Sequence, residues 1–318
     1  MSSEPVTYRH DLGKGLYLTA FAIDPKITQD ELRAIVSSLD GKPNDLEALS
    51  GTIVRTDRVR SIQDLQLEPV SGAYKVPKPL ERYRRGIKED WDKKGRFNGP
   101  VLIATGEIVN PLKVIQGGYY DYAATKLTDE PAKLLPEDYP AGKIVEDILN
   151  DNGIDLNQRA RYFGFSHLMW PSNGKEFLLV QRAKGMGIAG DCISTPGSTV
   201  DVVLNSPRLK KSRFSIRDYW SYHFAEEMKD EFNLRWGDFW TGVINLFDDK
   251  KMIPFGAINI ITELSTEEIA RRAFGDPRIL KEHTVLYSMQ QKAIPTLLQR
   301  YPIFPSVAKS LDIILKKE

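Results

Sequence analysis

Cysteine is nearly missing: the 318-residue chain holds one, Cys192. A single thiol excludes a disulfide framework and a cysteine-built metal cluster within a monomer, and it fits a reducing compartment. Asp191 beside it would raise a thiol pKa, so Cys192 reads as structural and not as an activated nucleophile. Histidine is scarce too, at four residues. Neither His167 nor His223 has a nucleophile pattern nearby, and both read as packing or surface residues. Charge of one sign is absent: 44 Lys plus Arg against 43 Asp plus Glu leave a net +1. That gives no field to gather nucleic acid or a membrane surface, so any phosphate site must be local. Long apolar runs are lacking as well, and "LYLTAFAI", after a polar start, is too short for a signal-peptide or membrane core. With no internal repeat and no low-complexity tract, these absences point to a soluble, cytoplasmic protein with neither nucleic acid nor membrane as partner.

What is present suggests an α/β chain of α+β layered type. Residues 15–23 read as a strand, and the helix after them opens on a Thr28-x-x-Glu31 capping box and stops at Gly41. "PLERYRRGIKEDWDKKGR" reads as a surface helix ending near Gly95, and "PVLIATGEIV" as a strand. Three prolines without any period in "LTDEPAKLLPEDYPAG" mark a boundary, which divides the chain into 1–140 and 141–318. A short helix, 143–150, follows. In the second part "ARYFGFSHLMW", "EFLLVQRA", "TGVINLFDD" and "PFGAINIITEL" read as strands, with a turn at Ser172-Asn173-Gly174-Lys175. A long helix is expected over 216–234, and another from the Ser265-x-x-Glu268 box.

Gly185-x-Gly187-x-x-Gly190 directly follows a strand candidate and has the spacing of a dinucleotide fingerprint. That fingerprint needs a helix to open at the last glycine, because the helix N-terminus holds the pyrophosphate. Here "DCISTPGSTVD" follows, whose proline, glycine and β-branched residues disfavour a helix. A nicotinamide-linked oxidoreductase is therefore ranked low, and the triplet reads as a loop.

The long helix carries Glu226, Glu227, Asp230 and Glu231. At about 100° per residue, Glu227, Asp230 and Glu231 share one face within a turn. Such runs are most often solvated helix faces, with Lys229 and Arg235 offsetting the charge here. The same helix, however, has Phe224, Met228 and Phe232 at four-residue spacing, so the acids flank a packed surface. Clustered oxygens on a rigid element suit Mg²⁺, a hard ion that takes one or two carboxylates, keeps waters and is completed by substrate phosphate.

These residues resemble the Nudix hydrolases. That family shares the box G-x5-E-x7-R-E-U-x-E-E-x-G-U, with U bulky and aliphatic, preceded by Pro-Gly and by a strand ending in Gln-Arg. The matching pieces are "LLVQR" (178–182), "PGSTVD" (196–201) and "EEMKDEFNL" (226–234). The resemblance places Glu227, Asp230 and Glu231 on the metal-binding carboxylates, Met228 and Leu234 on the aliphatic positions, and Asn233 on the glycine. Departures are Glu226 for the bracing arginine, Ser198 for a glycine, Leu204 at the first glutamate, and a gap longer than the standard box. A branch acting as UDP-sugar diphosphatases is similar in carrying an insertion there, which makes Asp201 the acid of the first element and a fourth metal ligand. "WDKKGRFNGP" and "GGYYDYAATKL" look like segments of that branch's N-terminal extension. The resemblance implies a Nudix-type α/β/α sandwich over 141–318, with an N-terminal α/β domain, 1–140, shaping the substrate pocket.

It further implies a Mg²⁺-dependent hydrolase, Mn²⁺ being an acceptable substitute, that cleaves a nucleoside diphosphate-sugar of the UDP-glucose or UDP-galactose type. Glu282 is the candidate general base beside the catalytic acids Glu227, Asp230 and Glu231. Arg182 and Lys184 are candidates to clamp the diphosphate. Asn98 would read a base edge, and Tyr122, in its tyrosine-rich stretch, would supply an aromatic face. Because Glu226 stands for the bracing arginine, another cation, Arg182 or Arg217, is expected at the acidic face. The alternative is a Nudix-fold nucleotide-binding or regulatory module that has lost its chemistry. A homodimer is compatible with either.

Overall fold

The computed structural model describes residues 4–42, 53–93, 99–125, 145–183, 192–199, 213–249 and 256–315. The chain begins as a hairpin: β1 (Val6–Gly13) pairs antiparallel with β2 (Leu16–Ala22). Helix α1 (Gln29–Leu39) starts on the expected capping box, with Thr28 Oγ1 accepting the Glu31 N–H and the Glu31 carboxylate accepting the Thr28 N–H. Next come β3 (Ile53–Val59), β4 (Gln66–Ala73), the expected surface helix α2 (Glu81–Lys93), β5 (Pro100–Ala104), β6 (Leu112–Gly118), α3 (Tyr119–Thr125) and α4 (Val145–Asp151). The single strand expected over 160–170 is two, β7 (Arg161–Tyr162) and β8 (Gly164–Trp170), because the chain changes sheets at Phe163. The turn after β8 has positive φ at Ser172, Asn173 and Gly174 and leads into β9 (Glu176–Arg182).

After the glycine triplet, which lies outside the described residues, come strands and not a helix: β10 (Ile193–Ser194) and β11 (Gly197–Thr199). The rest is β12 (Phe214–Ser215), α5 (Ile216–Phe232), β13 (Phe239–Asp249), β14 (Gly256–Thr262), α6 (Thr266–Ala273), β15 (His283–Gln290), α7 (Ile294–Arg300) and α8 (Pro305–Leu315). Ser265 and Glu268 cap α6 reciprocally, as their spacing predicts.

The strands form two mixed sheets, and the α/β class expected from the sequence is observed. The larger runs β1-β2-β15-β9-β8-β14-β13-β3, with β10 on β9 and β11 on β8; the smaller runs β12-β4-β6-β5-β7. Pairing is antiparallel except between β14 and β8 and between β4 and β6. Strand β8 is buried along its whole length, as befits a strand covered on both faces. On one face of the large sheet Phe165, Val180, Ile258 and Ile260 pack with Phe224 and Met228 of α5, Ile269 of α6, and Leu102 and Val114 of the small sheet. On the other, Ala20, Leu179, Ala257 and Tyr287 pack with α1, α7 and α8. The outer face of the small sheet carries α3, which packs with α2 and α4.

The division expected at residue 140 falls among residues outside the description, and strand pairing crosses it. From the N-terminal side β2 bonds β15 and β3 bonds β13; from the C-terminal side β7 bonds β5 and β12 bonds β4. Neither sheet is drawn from one side of that point. Among the described residues no helix is long and apolar enough to cross a membrane.

Candidate functional site

Helix α5 positions the acids because both of its ends are fixed locally. Ser215 Oγ accepts the Arg217 N–H at 3.3 Å. At the other end Asn233 is left-handed, φ 54° and ψ 33°. Its N–H donates to Lys229 O at 2.8 Å, the 5→1 bond of a left-handed helix ending, and the Leu234 N–H donates to Met228 O at 3.2 Å. Glycine suits that conformation best and asparagine next. Asn233 thus meets the same backbone requirement as the glycine it matches in the box. Phe224, Met228, Phe232 and Leu234 are all fully buried, which is the apolar stripe the spacing predicts.

The three acids differ in exposure. Glu227 is half-buried and Asp230 exposed, whereas Glu231 is only 5% exposed. Carboxylates at a helix C-terminus oppose the macrodipole, at roughly 0.3–1 kcal/mol each. Burial adds a desolvation cost for Glu231. A carboxylate kept where both terms disfavour it makes Glu231 the leading candidate on this helix.

Glu231 Oε2 lies 3.8 Å from His283 Nε2. The imidazole is fully buried and stacks on Phe232, with centroids 5.7 Å apart and planes 15° apart. His283 opens β15 and pairs in register with Arg182, the last residue of β9. Beside it the Ala183 N–H donates to the Glu282 carbonyl at 2.9 Å. The end of β9, the start of β15 and the last turn of α5 therefore meet. They bring Arg182, Glu282 and Glu231, three candidates far apart in sequence, into one neighbourhood.

Among the described residues a cation stands at the acidic face, Arg278. Its Nη1 is 3.4 Å from Asp230 Oδ1 and its Nη2 2.7 Å from Asp276 Oδ2. Donation to the Asp276 carboxylate pushes the guanidinium above its ordinary range, and the fields of Asp230 and Glu226 add to that. Arg217, expected in this role, begins α5 at the opposite end of the helix, where it is exposed. Only the vacancy left by Glu226 hinted at such a residue; 48 positions separate Arg278 from Asp230, beyond any local pattern. His283 was likewise missed as a partner of Glu231.

The carboxylates fit Mg²⁺ in kind, being hard oxygen donors on one helical turn. Among the described residues no three His, Cys, Asp or Glu side chains gather into a ready cage. An ion that takes one or two carboxylates and completes its shell with water and phosphate does not require one. Asp201, Lys184 and Asn98 lie outside the described residues, as does the side chain of Arg182.

Tyr122 packs with Val101, Ile103 and Ala160, a cluster separate from the one that holds the apolar face of α5. Gly197 makes a close approach to β8: a Cβ there would lie 2.9 Å from the Phe165 carbonyl oxygen. His167 is a packing residue, fully buried edge-on to Phe224 at 5.1 Å, and burial pulls its pKa down to about 3. No protein-family model matches this chain, and no curated protein matches it.

Proposed function

We propose that the chain is a diphosphate hydrolase of the Nudix type acting on a nucleoside diphosphate-sugar, UDP-glucose or UDP-galactose first. The observation that carries this reading is the buried carboxylate of Glu231 at the C-terminal turn of α5, meeting the ends of β9 and β15. The left-handed Asn233 supports the match of α5 to the family's helix. Glu227, Asp230 and Glu231 would hold Mg²⁺ or Mn²⁺. Bound there, the ion would neutralise diphosphate charge and ease deprotonation of water. Arg278 limits repulsion among the acids from outside the helix, and Glu282 is the candidate base for the attacking water. Water adds to one phosphorus and the bridging P–O bond breaks, leaving nucleoside monophosphate and sugar phosphate.

A second reading, a nucleotide-binding module without turnover, is favoured by one observation. Arg278 at Asp230 and His283 at Glu231 supply protein groups where an ion would otherwise offset the charge. A panel of nucleotide sugars, dinucleoside polyphosphates and ADP-ribose, assayed on the full chain with Mg²⁺, separates the two. Release of UMP from UDP-glucose or UDP-galactose is expected. Preference for ADP-ribose or a dinucleoside polyphosphate would overturn the substrate but not the family, and binding without turnover across the panel would favour the module.

A further inference from the structure

Strand β14 presents alternate residues to the two faces of the large sheet. Ile258 and Ile260 face the core that holds α5, and Asn259 and Ile261 face the other way. On that second face lies a cleft of about 380 Å³. Its lining residues include Arg58 of β3, Asn245 of β13, Asn259 of β14, Trp170 of β8 and Gln291. The size is at the lower end of small-ligand sites.

The floor is built and held. A bulge in β13 between Thr241 and Ile244 sets two residues against one on β14. It turns the Val243 carbonyl to accept the Asn259 Nδ2–H at 2.9 Å. Asn259 Oδ1 accepts the Trp170 Nε1–H at 2.8 Å. With both ends of its amide engaged, Asn259 is fixed, and it fixes the indole.

Asn245 and Arg58 differ from Asn259 in this respect. Asn245 is 7% exposed, and among the described residues its carboxamide makes no hydrogen bond. It lines the cleft, so its donor and its acceptor are open to a ligand there. Arg58 stands directly opposite Asn245 in the β13–β3 register. It is exposed, and among the described residues its guanidinium forms no ion pair.

Among the described residues the lining contains no carboxylate, so the described wall of the cleft carries the positive charge of Arg58. It also offers an amide edge with one donor side and one acceptor side, and an indole wall. We propose that this cleft is a second ligand site, distinct from the acidic site on the opposite face of the sheet, that binds a small planar heterocyclic anion. The lactam edge of the heterocycle pairs with Asn245, its ring lies against Trp170, and its carboxylate or phosphate meets Arg58.

Isothermal titration of the full chain tests this with orotate, a heterocyclic carboxylate, UMP, a heterocyclic phosphate, and uridine, which is neutral. One or both anions bind with one-to-one stoichiometry, and uridine binds at least tenfold more weakly. Preference between orotate and UMP identifies the anionic group. Arg58→Ala weakens the anion about tenfold or more, the scale of one charged hydrogen bond, and Asn245→Leu weakens it similarly. Arg58 is exposed, so its variant tests the idea even where Asn245→Leu fails to fold. Glu231→Gln leaves this binding unchanged, which separates the cleft from the acidic site. Absence of binding by both anions, equal binding of uridine, or loss of binding in Glu231→Gln but not in Arg58→Ala would each overturn the proposal.

Discussion

Glu231 occupies a position where the negative end of α5 and the loss of water both disfavour a carboxylate, with His283 Nε2 3.8 Å away. Glutamine there keeps the shape and removes the charge. Glu231→Gln is expected to abolish release of UMP from UDP-glucose while changing unfolding free energy by less than about 1 kcal/mol, since relief of dipole and desolvation costs offsets the lost attraction. Urea denaturation beside the assay checks both halves; a large stability loss with activity retained would make Glu231 structural. His167 gives a pH prediction of definite sign. Burial lowers its folded pKa from 6.5 to about 3, so the unfolded chain takes up the proton first. Stability from the neutral ring is therefore full above pH 6.5 and falls as pH drops from there toward 3, at up to roughly 1.4 kcal/mol per pH unit. Denaturation midpoints of the wild type should decline more steeply over pH 6.5 to 4.5 than those of His167→Leu. Parallel curves would mean that the ring is not held neutral.

At the scale of elements, what was legible in the sequence was what neighbours decide. Thr28 with Glu31 and Ser265 with Glu268 start helices by bonds within four residues, and Ser172-Asn173-Gly174 turns the chain by its own backbone preference. The break between β7 and β8 was not legible, because Phe163 looks like any strand aromatic and only the presence of two sheets separates its neighbours. Of the candidate site, the acids and their helix could be read, while Arg278 and His283 arrive by tertiary folding. The end of α5 offers a local test. Asn233 holds φ 54° and its Nδ2 donates to the Arg272 carbonyl at 3.2 Å. Asn233→Ala should cost about 1–2 kcal/mol from the left-handed backbone alone. Asn233→Gly relaxes the backbone but loses the side-chain bond, so its loss should be smaller. Equal losses in the two variants would show that the side-chain bond, and not the backbone, fixes the helix end.

Across the whole molecule, the proline-rich stretch before residue 140 suggests separable halves, while the strand pairing joins them. Arg300 pairs with Asp40, 260 positions away, and donates to the Leu12 carbonyl at 3.0 Å, tying the first hairpin and α1 to α7. Strand β15 has β2 on one side and β9 on the other, and β13 lies between β14 and β3. A fragment of residues 141–318 would lose β1, β2 and β3. The outer edges of β15 and β13 would open, and Tyr287 and Val285 would lose the cover of α1. It would also lose β4, β5 and β6, leaving only the two-residue strands β7 and β12 of the small sheet. Phe165, Met169 and Val180 would then lack the Leu102, Leu112 and Val114 side chains that close their core. Unpaired edges beside exposed apolar surface favour aggregation over folding. The fragment 141–318 is therefore expected to be insoluble or to show no cooperative unfolding, whereas the fragment 1–140 supplied with it during expression should restore a soluble pair. Circular dichroism and a thermal melt of each preparation decide it: a cooperative transition from 141–318 alone would mean that this half carries its own core.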